Sequence, residues 1–569
     1  MKNIKLNLEY ASEDLKGIEN LPKGSIVLYK SQTGTGKTTA IIGDREHNIK
    51  GLKDKIGDKT IIYLCNRWAL KNQVKLNLCT ELGVEIEHNE DGSINYDWLN
   101  KLKTIGNVTI LSYQEIQKKV YESDRIKYKY SDWYLRDGIF SLGDYDYIVA
   151  DEFHYIVRDA GFNSETMISY RELVKTWYDK SVTILLTATD GEVKIAIENS
   201  ARYLEELTNS KEYIKAYGEN AKRFSIDNHY KYIDGGIDYS YVNPFYYNNK
   251  KDMITTIKNS NANEKWIWFI SNIEKGENLL EELKKSNIEA DMVTSNDNSE
   301  LKKYIIENER FECKVLITTS VLDNGVNIKD DDVTNIIIDS FDKVTFIQML
   351  GRKRIDKNNA QEINLYIPKR NSSHYTQKIK GLKKKCELIN LFLNDKEELK
   401  RVSDYNQGIL QGAFYRYFDE TLLLNNMYLA RVTNDEFYYK QCSELLDADE
   451  WFFIKEQLRW IGLESTFSED NLIENVTDNE EIKTLENYLN EIVGKKLFDA
   501  EQQELSNLII KELITIKKDI DYRTKKLKPG TIEKLLREDL NLEYAIIENK
   551  KESKGEMRGK RYIILGKII

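Results

Sequence analysis

Long apolar runs are absent from this sequence. The first residues, Met1 to Tyr10, contain no apolar core of the length that a signal peptide needs, and no later run is long enough to span a bilayer. We therefore expect a soluble, cytoplasmic protein without a membrane partner.

Cysteine is also scarce. The five cysteines, at positions 65, 79, 313, 386 and 442, lie far apart, and no Cys-x-x-Cys pair occurs. This spacing argues against a disulfide framework, a zinc ribbon and an iron–sulfur cluster, and it fits a reducing compartment.

Positive charge is in the minority and proline is rare. The net charge of −10 does not suggest a coat for nucleic acid, so any contact with a polyanion must come from local basic surface. Pro244, Pro368 and Pro529 fall where we expect domain boundaries, because proline biases the preceding residue toward extended backbone. A chain of this length needs about two to four domains.

The first specific pattern is Ser-x-x-Gly-x-Gly-Lys-Thr from Ser31 to Thr38, between an apolar run and a helix start. Gly34 and Gly36 let backbone N–H groups converge on a phosphate, and the helix N-terminus adds its positive dipole end. Lys37 can reach the β- and γ-phosphates, and the Thr38 hydroxyl can ligate Mg²⁺, although serine replaces the usual first glycine. The residues that we expect to bind ATP here are Thr33, Gly34, Thr35, Gly36, Lys37, Thr38 and Thr39.

Two adjacent carboxylates follow a later apolar run, Tyr147 to Ala150. Apolar runs alternate with helical segments throughout this part of the chain, which predicts a parallel sheet covered on both faces, with its chemistry at the carboxyl ends of the strands. Asp151 can hold the Mg²⁺ bound by Thr38. Glu152 can orient or deprotonate the water that attacks the γ-phosphate.

With these motifs the chain resembles a superfamily 2 helicase or translocase of the DExH type, in the style of phages and mobile elements. Its box is Asp151-Glu152-Phe153-His154. Asn66 to Gln73 is similar to motif Ia, Ser112 to Gln114 stands where motif Ib is expected, and Thr187 to Thr189 is similar to motif III. The resemblance implies that nucleic-acid contact or coupling involves Arg67, His154, Thr187 and Thr189.

A second sheet without a phosphate loop is expected next. Trp266 to Ile270 has the character of motif IV, and the segment from Val315 to Ile328 resembles motif V. The resemblance assigns Thr319 to coupling and Gly325 to nucleotide contact. Asn324 and Asn327 stand where many relatives have Arg and Asp, which leaves ribose and strand contacts open, and no adenine-reading glutamine motif precedes the phosphate loop.

Gln348 to Arg354 resembles motif VI, Gln-x-x-Gly-Arg-x-x-Arg. Arginines brought across the cleft can neutralise charge that builds on the γ-phosphate. The resemblance implies catalytic roles for Gln348, Arg352 and Arg354. However, Arg354 comes one residue early and Ile355 takes the expected position, so a basic surface helix start stays an alternative for Arg354.

The C-terminal third reads as mainly helical from Ile379 to about Lys518, and protein partners through this region are one expectation. After Pro529, two short strands flank the basic segment from Lys550 to Lys560. This hairpin resembles the wing of a winged-helix module, whose lysines pair with phosphates. A solvated basic loop is the alternative.

The predicted fold is α/β, with two tandem RecA-like domains and a helical C-terminal region. The predicted boundaries are residues 1–220, 221–370, 371–525 and 526–569, the last being the winged-helix-like module. We expect an ATP- and Mg²⁺-dependent helicase or translocase that acts on nucleic acid, with DNA favoured over RNA. The alternatives are an RNA helicase, an ATPase that remodels protein–nucleic-acid complexes without unwinding, and a P-loop ATPase unrelated to nucleic acid.

Overall fold

The structure is a computed structural model that divides into two compact units, Met1–Glu474 and Asn475–Ile569. The residues that it describes are 2–5, 17–129, 140–161, 163, 165–294, 300–319, 327–355, 361–395, 413–416, 422–473, 485–516, 526–540, 542–553 and 557–567.

The first sheet has eight strands in the order β1-β8-β2-β7-β6-β3-β5-β4, and only the β4–β5 pair is antiparallel among the described pairs. The strands are Lys2–Lys5 (β1), Ile26–Lys30 (β2), Ile61–Cys65 (β3), Thr104–Ile105 (β4), Val108–Ser112 (β5), Tyr147–Ala150 (β6), Val182–Thr187 (β7) and Tyr230–Asp234 (β8). β8 lies between β1 and β2 in the first sheet. The first lobe therefore extends beyond residue 220, which is the boundary expected from the sequence.

Helices cover both faces of the first sheet, as the continuous apolar strands predict. In β6, for example, Ile148 and Ala150 enter the core on one face, and Tyr147 and Val149 enter the core on the other. The helices are Lys37–Ile42 (α1), Leu52–Lys55 (α2), Trp68–Leu82 (α3), Tyr96–Lys101 (α4), Tyr113–Lys129 (α5), Tyr155–Arg158 (α6), Thr166–Thr176 (α7), Gly191–Thr208 (α8), Lys211–Tyr217 (α9) and Ile226–His229 (α10).

The second sheet has seven strands, and its described pairs are all parallel. In chain order they are Val242–Tyr247 (β9), Lys265–Phe269 (β10), Ala290–Val293 (β11), Val315–Thr318 (β12), Val333–Ile338 (β13), Ile363–Pro368 (β14) and Leu472–Ile473 (β17). Its helices are Lys250–Asn259 (α11), Ile273–Lys285 (α12), Glu300–Asn308 (α13) and Lys343–Leu350 (α14). Pro368 ends β14 as expected, whereas Pro244 lies inside β9.

The segment after the second sheet packs against both lobes. It contains Ser373–Asn394 (α15), a small antiparallel hairpin of Phe414–Arg416 (β15) and Leu422–Leu424 (β16), Asn426–Ala448 (α16) and Phe452–Trp460 (α17). Its apolar residues join the cores of the two sheets, and β17 extends the second sheet beside β9. This part of the predicted accessory domain therefore shares its core with the lobes.

The second unit has its own core of buried Leu, Ile and Tyr side chains. It consists of Leu485–Ile492 (α18), Asp499–Ile516 (α19), Pro529–Lys534 (α20), a π-helical turn at Leu535–Asp539, and the antiparallel hairpin of Tyr544–Lys551 (β18) and Arg561–Lys567 (β19). The winged-helix assignment stays a prediction.

The architecture of two tandem RecA-like sheets followed by a mainly helical region is confirmed. Within the described part of the chain, no helix combines the length and the apolar character that a membrane span needs.

Candidate active site

The loop from Ser31 to Gly36 connects the buried strand β2 to the short helix α1. Gly34 and Gly36 have φ angles of +87° and +75°, in the left-handed region that glycine adopts without strain. The Lys37 ammonium donates hydrogen bonds to the carbonyls of Ser31 (2.8 Å) and Gln32 (2.9 Å), which hold it inside the loop. Burial lowers the pKa of Lys37, against the opposing effect of Glu152 and Asp151.

Two threonines shape the loop from within. The Thr35 hydroxyl donates to the carbonyl of Gln32 (2.8 Å) and hydrogen-bonds the hydroxyl of Ser31, so the serine in place of glycine supports the turn. The Thr33 side chain lies against Gly351 of the second lobe, where a Cβ on that glycine would be 2.6 Å from the Thr33 Cβ. The loop therefore touches the motif VI segment directly.

The Asp151 carboxylate is held at the end of β6 by tyrosines from neighbouring strands and helices. The Tyr63 hydroxyl donates to Asp151 Oδ2 (2.7 Å), the Tyr113 hydroxyl donates to the Asp151 carbonyl (2.9 Å), and the Glu152 N–H donates to Oδ1 (2.9 Å). Burial and the neighbouring Glu152 raise the pKa of Asp151 to about 6. The Thr38 side chain lies close to the same Tyr63 hydroxyl, and both expected Mg²⁺ ligands line the same cleft.

This donor set fits Mg²⁺. A carboxylate and a hydroxyl are hard oxygen ligands, and Mg²⁺ commonly takes one or two protein ligands together with phosphate oxygens and water. Thr38 and Asp151 are therefore the candidate ligands for Mg²⁺ in this cleft.

Glu152 has a strained backbone, with φ at +48°. Its Oε2 atom lies 3.3 Å from Nδ1 of His154. Burial would raise the pKa of Glu152, but His154, Lys37, Arg352 and Arg354 outweigh burial and lower it. Glu152 is therefore a half-buried carboxylate whose ionised form its surroundings favour.

His154 connects the box to both lobes. The Gln348 amide donates to His154 Nε2 (2.7 Å), and the Thr187 hydroxyl lies 3.4 Å from Nδ1. The same hydroxyl donates to the Thr189 carbonyl (2.7 Å) and accepts from the Thr189 N–H (3.1 Å). Burial lowers the pKa of His154, against the opposing effect of the neighbouring Glu152.

The arginines of motif VI lie beside the phosphate loop, Arg352 buried and Arg354 half-buried. Arg352 is 4% exposed. Arg354 donates from Nε to Asn327 Oδ1 (2.8 Å), and its Nη1 would lie 3.0 Å from a Cβ on Gly34. Burial and the nearby Arg352 lower the pKa of Arg354 to about 10. The early position of Arg354 in the motif thus does not turn it away from the loop.

These groups line one cleft of about 380 Å³ between the two lobes. Of the expected site residues, those on its wall are Thr33, Gly34, Gly36, Lys37, Thr38, Thr39, Arg67, Asp151, Glu152, His154, Gln348, Arg352 and Arg354. Thr35, Thr187, Thr189 and Thr319 are buried outside the wall, and Gly325 lies outside the described residues. Arg67 also pairs with Asp159 at 3.0 Å.

Sequence reasoning did not identify the groups that support the site. Tyr63 and Tyr113 hold Asp151, and Asn327 orients Arg354. A tyrosine within the otherwise apolar run Ile61–Cys65 was the available signal for Tyr63, because a buried hydroxyl needs a partner. Arg158 and Asp342, which pair across the lobes, carried no signal in the sequence.

Two family models match the chain. The model described as type III restriction enzyme, res subunit, matches residues 5–191, and the model described as helicase conserved C-terminal domain matches residues 249–355. No curated protein sequence matches the chain.

Solved structures with a similar fold include helicases of low sequence identity. Dbp5 of S. cerevisiae, bound to RNA and ADP BeF3, has 15% identity and a TM-score of 0.38, with 62% of this chain and 80% of that chain covered. The Mycobacterium smegmatis helicase Lhr, bound to ssDNA and AMP-PNP, has 13% identity and a TM-score of 0.39, with 72% and 58% covered. A DEAD box protein from the hyperthermophile Methanococcus jannaschii has 15% identity and a TM-score of 0.31, with 64% and 91% covered.

Proposed function

The chain belongs to superfamily 2 of the helicases, which are ATP-hydrolysing enzymes, and on that premise we propose that it is a DExH-type motor that moves along DNA. ATP binds between the two lobes, and its hydrolysis drives their opening and closing along one strand.

One observation carries this proposal. Lys37 and Glu152 of the first lobe and Gln348, Arg352 and Arg354 of the second lobe line the same cleft. A phosphoryl group between them would meet a lysine from one side and two arginines from the other, so the site is complete only while the lobes are together.

Each residue has a role that its geometry supports. The backbone N–H groups of the loop and Lys37 bind the β- and γ-phosphates, and Glu152 orients and deprotonates the attacking water. Arg352 and Arg354 stabilise charge on the γ-phosphate. Gln348 links the second lobe to the acidic box through its hydrogen bond to His154. Thr38 and Asp151 would hold Mg²⁺, which would supply neutralisation of phosphate charge.

The preference for DNA has two supports. The first lobe matches a model whose description is a restriction-enzyme subunit, a class of enzyme that acts on DNA. The sequence also lacks a convincing adenine-reading motif before the phosphate loop, as noted above. Arg67 on the cleft wall, together with Thr187, Thr189 and Thr319, couples the nucleotide site to the strand in this proposal.

The test is an ATPase assay on the full chain with single-stranded DNA, duplex DNA and RNA as separate activators. Stimulation by single-stranded DNA well above that by RNA is the expected result, and stimulation by RNA alone would replace DNA with RNA as the substrate. A strand-displacement assay beside a translocation assay then separates unwinding from movement without unwinding. If no nucleic acid stimulates the ATPase activity, the proposed motor function is wrong.

A further inference from the structure

A long helix, α15, crosses from the second lobe to the first. Near its start, Tyr375 is buried in the core of the second sheet. Near its end, Leu388, Ile389 and Phe392 are buried in the core of the first sheet. One continuous helix is thus anchored in two cores.

The helix α16 makes the same crossing in the opposite direction. Met427 and Val432 belong to the core of the first sheet, and Cys442 and Leu446 belong to the core of the second. With 23 residues, the helix is about 35 Å long at about 1.5 Å per residue. We refer to α15 and α16 together as the strut.

A network of half-buried charges lies where α16 passes between the lobes. Arg158 at the end of α6 pairs through Nη1 with Asp342 of the second lobe and through Nη2 with Glu192 of the first lobe at 3.2 Å. Arg431 of α16 donates to the Arg158 carbonyl and lies 3.7 Å from Asp435 of the same helix. The network therefore joins both lobes and the strut at Arg158.

The two ends of the Arg158–Asp342 pair belong to helices that carry the site. α6 begins at Tyr155, directly after His154 of the box. Asp342 caps α14 by accepting a hydrogen bond from the Thr345 N–H (2.8 Å), and α14 carries Gln348 to the cleft. A displacement between these helices would separate Gln348 from His154.

We propose that the strut, held at its centre by Arg158 and Asp342, keeps the two lobes closed over the nucleotide cleft before any strand binds. Arg158 and Asp342 are positioning residues in this account, because neither lines the wall of the nucleotide cleft. The inference rests on the proposed function, since it assumes that ATP and a strand both bind the closed lobes.

A closed lobe pair has a measurable consequence. A ligand that binds only the closed form loses apparent affinity in proportion to the fraction of molecules that are open. If the strut already closes the lobes, nucleotide affinity will depend little on a strand. If the strut is loosened, the strand must supply the closure, and nucleotide affinity becomes dependent on it.

The first variant is Asp342→Asn. Asparagine caps a helix as well as aspartate does, so the bond to Thr345 is kept while the charge opposite Arg158 is removed. Asp330→Asn is the matched control, because the half-buried Lys265–Asp330 pair (2.8 Å) lies entirely within the second lobe.

The second variant, Thr433→Gly with Asn434→Gly, places two glycines at exposed positions of α16 between its two anchored halves. Its control, Gln441→Gly with Glu444→Gly, places two glycines at exposed positions of the half that packs on the second lobe. The control pair weakens the helix at least as much, because Gln and Glu favour a helix more than Thr and Asn do, but only the first pair adds a hinge between the lobes. The Asp342 variant changes a contact of α14, whereas the glycine variant changes α16. If only one of them folds, as judged by its melting curve, that variant alone is sufficient to test the proposal.

The measurement is titration of the full chain with a fluorescent non-hydrolysable ATP analogue, with and without the nucleic acid that best activates the ATPase. Without nucleic acid, both variants are expected to bind the analogue about 5- to 150-fold more weakly than the wild type, and nucleic acid should restore most of that loss. The wild type and both controls should change less than about twofold on adding nucleic acid, a range well below typical coupling between sites.

The proposed role of the strut is contradicted if the variants titrate like the wild type. It is also contradicted if the affinity of the wild type for the analogue depends on nucleic acid as strongly as that of the variants. A wild type that does not bind the analogue at all would overturn the proposed nucleotide site, and the strut with it. The failure of the strut alone is therefore distinguishable from the failure of the proposed function.

Discussion

At the scale of the residue, Glu152 has the most informative backbone in the site. It is one of four described residues other than glycine with a positive φ, together with Asn48, Asn287 and Glu309, and it is half-buried near His154 and the arginines. Such a conformation costs of the order of 1–3 kcal/mol and persists only where the surroundings impose it. Here it turns the Glu152 N–H toward Asp151 and the side chain into the cleft.

Glu152→Gln and Lys37→Ala should both abolish ATP turnover, for different reasons. Glutamine keeps the shape of the side chain but cannot accept a proton from water, so we expect a loss of about 10²–10⁴-fold in kcat with nucleotide binding retained. Alanine at position 37 removes the ammonium that reaches the phosphates, so binding of the nucleotide should be lost as well. Steady-state ATPase rates and analogue titrations measure both effects, and normal turnover in either variant would remove the assigned site.

Gly351 and Thr33 show how closely the two lobes approach. Gly351 has an ordinary helical φ of −72°, so its lack of a side chain matters for space and not for backbone conformation. A Cβ on this residue would lie 2.6 Å from the Thr33 Cβ and 2.7 Å from its hydroxyl oxygen. The Thr33 Cβ is fixed to the backbone, so the loop itself would have to move.

Gly351→Ala should therefore separate motif VI from the phosphate loop and reduce kcat/KM for ATP by roughly 10²-fold, the effect typical of a displacement of about 1 Å. Thr33→Gly removes the opposing Cβ, so a double-mutant cycle tests whether the two residues interact. We expect the double variant to recover part of the activity that Gly351→Ala loses. If the two losses simply multiply, the contact does not limit the reaction.

At the scale of the element, the C-terminal hairpin is basic along its outer end. Lys551, Arg558, Lys560 and Arg561 are all exposed, and Lys551 and Arg561 face each other in the register of β18 and β19. Lys550 pairs with Glu548, and Lys496 pairs with Glu552. The exposed basic residues of the hairpin suit the backbone of a nucleic acid.

The variant Lys560→Glu with Arg561→Glu is expected to weaken binding of a DNA strand, with a larger effect at low salt than at high salt. A plot of log affinity against log salt concentration has a negative slope, and each lost phosphate contact should make that slope less steep by about 0.7 to 0.9. Lys284→Glu with Lys285→Glu, at exposed positions of α12, is the control for an equal change in net charge. Fluorescence anisotropy at several salt concentrations measures the slopes, and equal slopes in all proteins would leave the hairpin without a role in binding.

At the scale of the whole molecule, the sequence predicts the parts that local chemistry specifies. The strands that precede the phosphate loop and the acidic box were predicted to within one residue, because apolar β-branched runs ending in polar residues have few other interpretations. The addition of β8 to the first sheet was not predictable, since a strand of moderate hydrophobicity carries no mark of its partner. The helices of the strut were expected, but their passage between two cores depends on contacts far apart in the chain.

The two compact units should unfold separately, because each has a core of its own. A non-hydrolysable ATP analogue binds the folded first unit, so it should raise the melting temperature of one calorimetric transition and leave the other unchanged. Leu565→Ala removes a side chain that is fully buried in the core of the second unit. It should destabilise that unit by about 2–5 kcal/mol and shift only the transition that the analogue does not move. A single transition that both the analogue and Leu565→Ala shift would mean that the chain unfolds as one cooperative body, and the basic hairpin would then have to be considered as part of the motor.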